Sequence, residues 1–377
     1  MVKKSYFIIA IVLLASSLYS QPTIKPGPPR EIIATITNTG RELCPDKRLD
    51  YFGLWADLVD STIVLKGETS SKVAYDSVLA RVQRKATLPI RNEMILLPAP
   101  NIDKKHGVVT ISTANMRGMP AVESELINQA ILGETVRILK ERSFFYFIQM
   151  PDKYLGWIMK SSVQAMSDDE YKQWQKYKKV VYNRNCGQVL RKKKSDAYPV
   201  SDLVRGSILA LVKKEGKWLK VRIPDGREGY ILAKNALDYE QLKSDPHPDG
   251  KDIVETALQF FGIPYLWGGT STKGFDCSGF TKTVYRMHGI DLPRDANMQV
   301  KIGEPVQISD DYANLKPGDL VFFGKSADRI THVGLYIGDK KFIHSDGYVH
   351  INSFDPADKE YSEYRVRGLR VVCRIVK

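Results

Sequence analysis

Two windows of this chain align without a gap at one constant offset: "GETVRILKERSFFYFIQMPDKYLGWI" at 133–158 and "GSILALVKKEGKWLKVRIPDGREGYI" at 206–231. Gly133 falls on Gly206, Pro151-Asp152 on Pro224-Asp225 and Gly156-Trp157 on Gly229-Tyr230, each 73 residues apart. A unit written twice folds twice. Within each copy, short alternating apolar runs are broken by Gly or Pro-Asp turns, the pattern of a small barrel of about 60–70 residues. The spacing predicts one barrel over 107–165 and another over 180–240, with a polar helix at 168–179 between them. The rest of a 377-residue chain must then fold on either side as separate units.

The N-terminus reads as an export signal. Lys3 and Lys4 precede the apolar run at 6–15, and Ser16, Ser17 and Ser20 follow, so residues 1–20 form a signal peptide cut near Ser20. The run is short for a bilayer span, and no cysteine near the junction offers a lipid anchor. The expected product is periplasmic or extracellular, without stable membrane insertion. The net charge of +13 then points to anionic wall polymer or lipid, and export removes nucleic acid as a partner. A proline-rich linker at 21–30 leads into a small α+β unit at 31–106. There, 61–65 alternates as a strand, "KGET" reads as a turn, 71–85 has helical spacing and 94–97 returns as a strand. No chemistry is legible in that unit.

From Gly250 the pattern changes. Ile253, Val254, Ala257, Leu258 and Phe261 mark a helix that Gly262 stops. Then comes "YLWGGTSTKGFDCSGF" at 265–280, followed by a helix carrying Phe280, Val284 and Met287 on one face. Cys277 therefore sits at a helix N-terminus with Asp276 as cap. Free N–H groups there favour a thiolate and can hold an oxyanion. A structural cysteine with Asp276 as a plain cap is the bland alternative. Cys44, Cys186 and Cys373 leave room for one disulfide, which spacing does not choose.

A base stands in "THVGLYIGDKKFIHSDG" at 331–347. His332 and His344 each lie six residues from Gly338. A three-residue hairpin loop centred there sets them directly opposite each other, Cβ atoms roughly 5 Å apart, whereas a two-residue Gly-Asp loop pairs His332 with Ser345. One imidazole can take the thiol proton while the other orients it. Zinc is the competing use of Cys plus two His, but three ligands without a Cys-x-x-Cys or His-x-x-x-His pair argue against it. No metal or other cofactor is expected. His106, His247, His288 and His350 show no partner pattern and are expected on the surface.

Taken in order, "YLWGGTSTKGFDCSGF", "LPRDANMQ", "LKPGDLVFF", "THVGLYIG" and "FIHSDG" resemble the NlpC/p60 family of murein cysteine peptidases, over 250–377. The repeats resemble bacterial SH3-like domains. The resemblance implies a multi-domain chain: a papain-like α+β catalytic domain preceded by two SH3-like barrels and the small N-terminal unit. It implies Cys277 as nucleophile, His332 as general base and His344 as orienting partner. It further implies hydrolysis of the γ-D-Glu–diamino acid bond of murein stem peptides, on fragments with a free N-terminal L-Ala, in wall recycling. Asp276 with Ser278 would meet the alanine ammonium, Tyr265 the oxyanion, Trp267 would wall the pocket, and Arg294 would complete the substrate-binding set. Bland readings keep Asp276 as cap, Trp267 as core and Arg294 in a structural ion pair. The chain has Asp295-Ala296 where some such enzymes carry a serine. Cleavage of intact wall and a non-catalytic wall-binding role stand as alternatives; acyl transfer on a permuted papain-like scaffold is disfavoured by the Cys-before-His order.

Overall fold

The computed structural model describes residues 27–244 and 248–376. The expected signal peptide, most of the proline-rich linker and His247 lie outside the described residues.

The N-terminal unit packs two helices, Arg30–Leu43 and Lys72–Lys85, on a four-stranded sheet. Its hairpin, Phe52–Val59 with Thr62–Thr69, turns at Asp60 and Ser61, both at positive φ. "KGET" is therefore strand and not turn: Lys66 to Thr69 stay in register with Trp55 to Phe52. The first helix escaped the sequence reading because its Thr, Asn and Gly content is helix-poor. Thr35 and Thr39 satisfy their hydroxyls on carbonyls one turn back, at 2.8 Å each. Gly40 leaves room for the Phe52 ring, which would stand 2.6 Å from any Cβ there.

Each barrel region forms a seven-stranded antiparallel sheet. The offset of 73 persists in three dimensions: Thr135–Arg142 corresponds to Ile208–Glu215, Phe145–Gln149 to Trp218–Arg222, and Leu155–Met159 to Glu228–Leu232. The repeat also extends upstream of the aligned windows, with His106–Val109 matching Lys179–Tyr182 and Leu126–Ile131 matching Pro199–Val204. Even the bulge recurs, between Ile138 and Lys140 and again between Leu211 and Lys213. The helix joining them is Asp168–Lys176, closed by a Ser167–Glu170 capping box.

The C-terminal unit sets two helices, Gly250–Leu258 and Cys277–Arg286, against a six-stranded sheet. The strand order is Glu304–Val306, Leu369–Arg374, Leu320–Gly324, Ile330–Gly338, Lys341–Asp346, Tyr348–Ser353. Phe260, Phe275 and Phe280 meet in a buried aromatic cluster with Leu335 and Ile343, fixing the cysteine helix on the histidine strands.

All four cysteines are free thiols; Cys44 and Cys373 are buried apart from any partner sulfur and Cys186 is exposed. Three histidines expected on the surface, His106, His288 and His350, are partly buried instead. His106 stacks on Tyr171 with centroids 4.3 Å apart and meets Asp168, and His288 meets Thr256 at 2.8 Å.

Candidate active site

Cys277 is the first residue of its helix and Asp276 is the cap, accepting from the Gly279 amide at 2.7 Å. Asp276 does more than cap. Its carboxylate also accepts from the Gly268 amide at 3.0 Å and the Ser278 hydroxyl at 3.2 Å, and both oxygens bond the Arg294 guanidinium. Arg294 is 1% exposed; its Nε donates to Asn128 Oδ1 at 2.8 Å, across the contact with the first barrel. The ion-pair reading of Arg294 thus describes its place. The Asp276 carboxylate faces the cleft already neutralised.

The backbone N–H groups of Val333 and Ser278 are near enough to the Cys277 sulfur to favour its thiolate form. Val333 adjoins His332, so the thiol lies against the histidine strand, and Cys277 and His332 line one cavity of about 900 Å³. Burial, then the Asp276 charge, pushes the thiol up to about 12, against the pull of those amides and Arg294. Burial also holds His332 well below its ordinary value, with His344 and Arg365 adding to the effect. The helix-terminus argument for a resting thiolate is therefore outweighed by desolvation: the resting pair is thiol and neutral imidazole.

The two histidines meet, though not as the hairpin count expected. His332 Nε2 lies 2.8 Å from His344 Nδ1, with the rings perpendicular. The turn residues are Asp339 and Lys340, both at positive φ as a two-residue I′ turn requires, and Gly338 pairs with Lys341. A bulge between Tyr336 and Gly338 shifts the register further, giving Tyr336↔Phe342 and Leu335↔Ile343. His344 consequently stands across from Gly334, where a Cβ would come within 3.2 Å of its own. His332 is the diagonal neighbour on the same face. The missing side chain at Gly334 lets the rings reach each other.

The relay has a further member that sequence reasoning missed. His344 Nε2 lies 2.9 Å from Asn352 Oδ1, while Asn352 Nδ2 donates to Glu360 O at 3.2 Å. That second bond fixes the amide, so Oδ1 must accept and His344 Nε2 must carry hydrogen. Neutral His344 then presents a bare Nδ1, which accepts from His332 Nε2–H. His332 is left with an unprotonated Nδ1. The chain Asn352–His344–His332 thus sets the tautomer that a base requires. The alternation of His350 and Asn352 along Tyr348–Ser353 was the available signal; His350 packs its ring 4.4 Å from His344.

The other expected residues gather around the same cavity. Burial, with the Cys277 and Asp276 charges, pushes the Tyr265 phenol up to about 12, so its hydroxyl stays a donor near the sulfur. Trp267 is 63% exposed, a wall and not core, and its indole N–H donates to Glu125 at 2.9 Å. The first barrel is anchored here by Gln129, whose side chain accepts from Thr270 N and Ser271 Oγ, at 3.1 Å each. It contributes Glu125, Phe147, Tyr154 and Trp157 to the lining.

Residues 262–371 match the model of the NlpC/P60 family, and residues 116–163 match that of the bacterial dipeptidyl-peptidase Sh3 domain. Two curated relatives are named gamma-D-glutamyl-L-lysine dipeptidyl-peptidase. The Bacillus subtilis protein is 32% identical over 229 residues, 58% of this chain and 71% of the relative. The chain belongs to the NlpC/P60 family. The Bacillus cereus relative is 29% identical over 241 residues, 59% of this chain and 68% of its own length. The crystal structure of an NlpC/P60 family protein from Bacillus cereus superposes with a TM-score of 0.63, at 22% identity, over 72% of this chain and all of that one. The C-terminal unit is thus an NlpC/P60 papain-like domain behind SH3-like barrels, and the protein is a cysteine peptidase.

The depressed His332 value sets an expected pH profile. A base whose pKa is lowered keeps its proton-accepting form to lower pH, so the acid limb of kcat/KM should fall below the ordinary imidazole value of about 6.5. Initial rates between pH 4 and pH 8 check this. An acid limb centred above pH 7 would contradict a buried neutral imidazole.

Proposed function

We propose that this NlpC/P60 peptidase hydrolyses the γ-D-Glu–diamino acid bond of peptidoglycan stem peptides bearing a free N-terminal L-Ala, in cell-wall recycling outside the cytoplasm. The observation that carries the chemistry is the continuous chain Asn352–His344–His332, whose His332 lines the same cavity as Cys277. The names of the Bacillus relatives support the bond, and the barrel-walled cavity supports short fragments.

The mechanism follows from these groups. His332 Nδ1 takes the thiol proton as the sulfur attacks the γ-carbonyl carbon. The oxyanion gathers donors at the helix start and the Tyr265 hydroxyl. As the C–N bond breaks, His332 returns the proton to the departing α-amine of the diamino acid. Water, deprotonated by His332, then cleaves the thioester and releases L-Ala-D-Glu. His344 holds the imidazolium through its Nδ1 at both stages.

Recognition of the alanine ammonium needs a carboxylate without another cation. Asp276 is held by Arg294, Asp295 by Arg48 and Asp346 by Arg365. Of the other carboxylates lining the cavity, Asp50 and Glu125 have no Lys or Arg ion pair among the described residues, and Glu125 is held at the rim by Trp267, whose own segment of chain leads to the nucleophile. We assign Glu125 the ammonium, with Asp276 and Ser278 shaping the floor. Glu125→Gln is expected to raise KM for the free-amine tripeptide roughly tenfold or more, with a smaller change in kcat.

Mass spectrometry of L-Ala-γ-D-Glu-diaminopimelate and its lysine analogue after incubation tests the whole reading. Release of L-Ala-D-Glu, lost in Cys277→Ala, is expected. Loss of turbidity from intact sacculi with no tripeptide cleavage would instead favour the intact-wall alternative. Export rests on the apolar segment at 6–15, and periplasmic fractionation of the full-length protein tests it.

A further inference from the structure

The N-terminal α+β unit reaches the reaction cavity. Lys47, Arg48, Asp50 and Tyr51, between its first helix and first strand, and Phe52, the first residue of that strand, line that cavity. The segment is tied to the first barrel: the Leu155 amide donates to Arg48 O at 2.7 Å, Gln149 Nε2 donates to Leu49 O at 3.1 Å, and Tyr51 packs edge-on against Phe147.

Arg48 is the knot of three units. Its Nε and Nη2 hold the two Asp46 oxygens at 2.9 and 2.7 Å. Its Nη1 crosses to the catalytic domain, to Asp295 Oδ2 at 2.7 Å and Asn297 Oδ1 at 3.0 Å. Tyr154 of the first barrel donates to the same Asp295 oxygen at 3.1 Å. Burial and the Asp295 charge push the Tyr154 phenol up, so it stays protonated and donating.

A second cavity, of about 920 Å³, begins on the other side of these residues. Asp46 and Leu49 line it where Lys47, Arg48 and Asp50 line the first; Asp152 lines it where Tyr154 lines the first, and Met298 where Asn297 does. Three short segments, one from each unit, thus turn one side to each cavity. Arg48, Asp295 and Tyr154 close the partition between them. It lies on the Arg294 side of the nucleophile, since Asp295 follows Arg294 and Arg294 holds Asp276.

We infer that the Arg48–Asp295–Tyr154 knot is the end wall of the substrate cleft, and that the N-terminal unit limits the peptidase to stems ending in a free amine by leaving no room for an acyl substituent beyond it. The inference rests on the proposed substrate and adds what excludes the longer one. A wall discriminates by clash, which weakens the wrong ligand without strengthening the right one. Arg48 acts as a positioning residue: it holds the wall shut and takes no part in bond breaking.

The test compares L-Ala-γ-D-Glu-diaminopimelate with its N-acetyl derivative on the full mature protein, wild type against Arg48→Ala, Arg48→Gln and Arg48→Lys. Wild type should cleave the acetylated peptide about a hundredfold more slowly. Arg48→Ala should narrow that ratio roughly tenfold, mainly through a lower KM for the acetylated peptide, while slowing the free peptide only a few-fold. Arg48→Lys should restore most of the discrimination. If Arg48→Ala does not fold, Arg48→Gln keeps the aliphatic stem and carries the same comparison. An unchanged ratio in a folded Ala or Gln variant overturns the end wall, and so does wild type cleaving both peptides equally. Wild type cleaving neither refutes the substrate reading, and the end wall with it.

Discussion

His332→Ala is expected to lower kcat/KM for the tripeptide by about 10²–10⁴-fold, the usual worth of a positioned acid–base group. The loss should be in kcat. The Cys277 thiol, held up to about 12 by burial and Asp276, needs His332 to take its proton. His344→Ala should cost less, because it removes the acceptor at 2.8 Å that fixes the tautomer and leaves the base itself in place. Asn352→Ala should cost least, acting one bond further out. Steady-state kinetics on the three variants checks the order. A His344 variant as impaired as His332→Ala would make His344 the proton acceptor instead.

The second large effect is on stability. Arg294→Ala leaves the Asp276 carboxylate buried without its cation and leaves Asn128 Oδ1 with the Gln129 amide as its remaining donor. Breaking a buried pair from one side costs about 3–5 kcal/mol. The unfolding midpoint of the catalytic domain in urea should fall accordingly, with activity lost as the cap of the cysteine helix loosens. The double variant Arg294→Met/Asp276→Asn removes both charges and should recover much of that stability. If the double variant is no more stable than Arg294→Ala, the pair is not what holds the helix start.

Much of this site could be read before the fold was known, and the misses have physical causes. The helix cap at Asp276, the nucleophile's place and the strand carrying His332 followed from local patterns of one turn or one strand. Pairing across the hairpin did not, because the bulge between Tyr336 and Gly338 and the Asp339-Lys340 turn are register choices made by packing. Asn352 was missed because the alternation of His350 and Asn352 marks a strand face without naming the ring it meets; only the neighbouring strand gives it a partner. Desolvation reversed the expected ease of thiol ionisation, a quantity that depends on burial from all sides. Arg48 lay in a unit without legible chemistry, and its meaning comes from Asp295, 247 residues further along the chain.

Mass spectrometry of the acid-quenched enzyme during turnover of L-Ala-γ-D-Glu-diaminopimelate addresses the sulfur directly. An alanylglutamyl thioester on the peptide containing Cys277, accumulating in wild type and missing from Cys277→Ser, is the expected result. Undiminished tripeptide hydrolysis by a Cys277→Ala protein would contradict it.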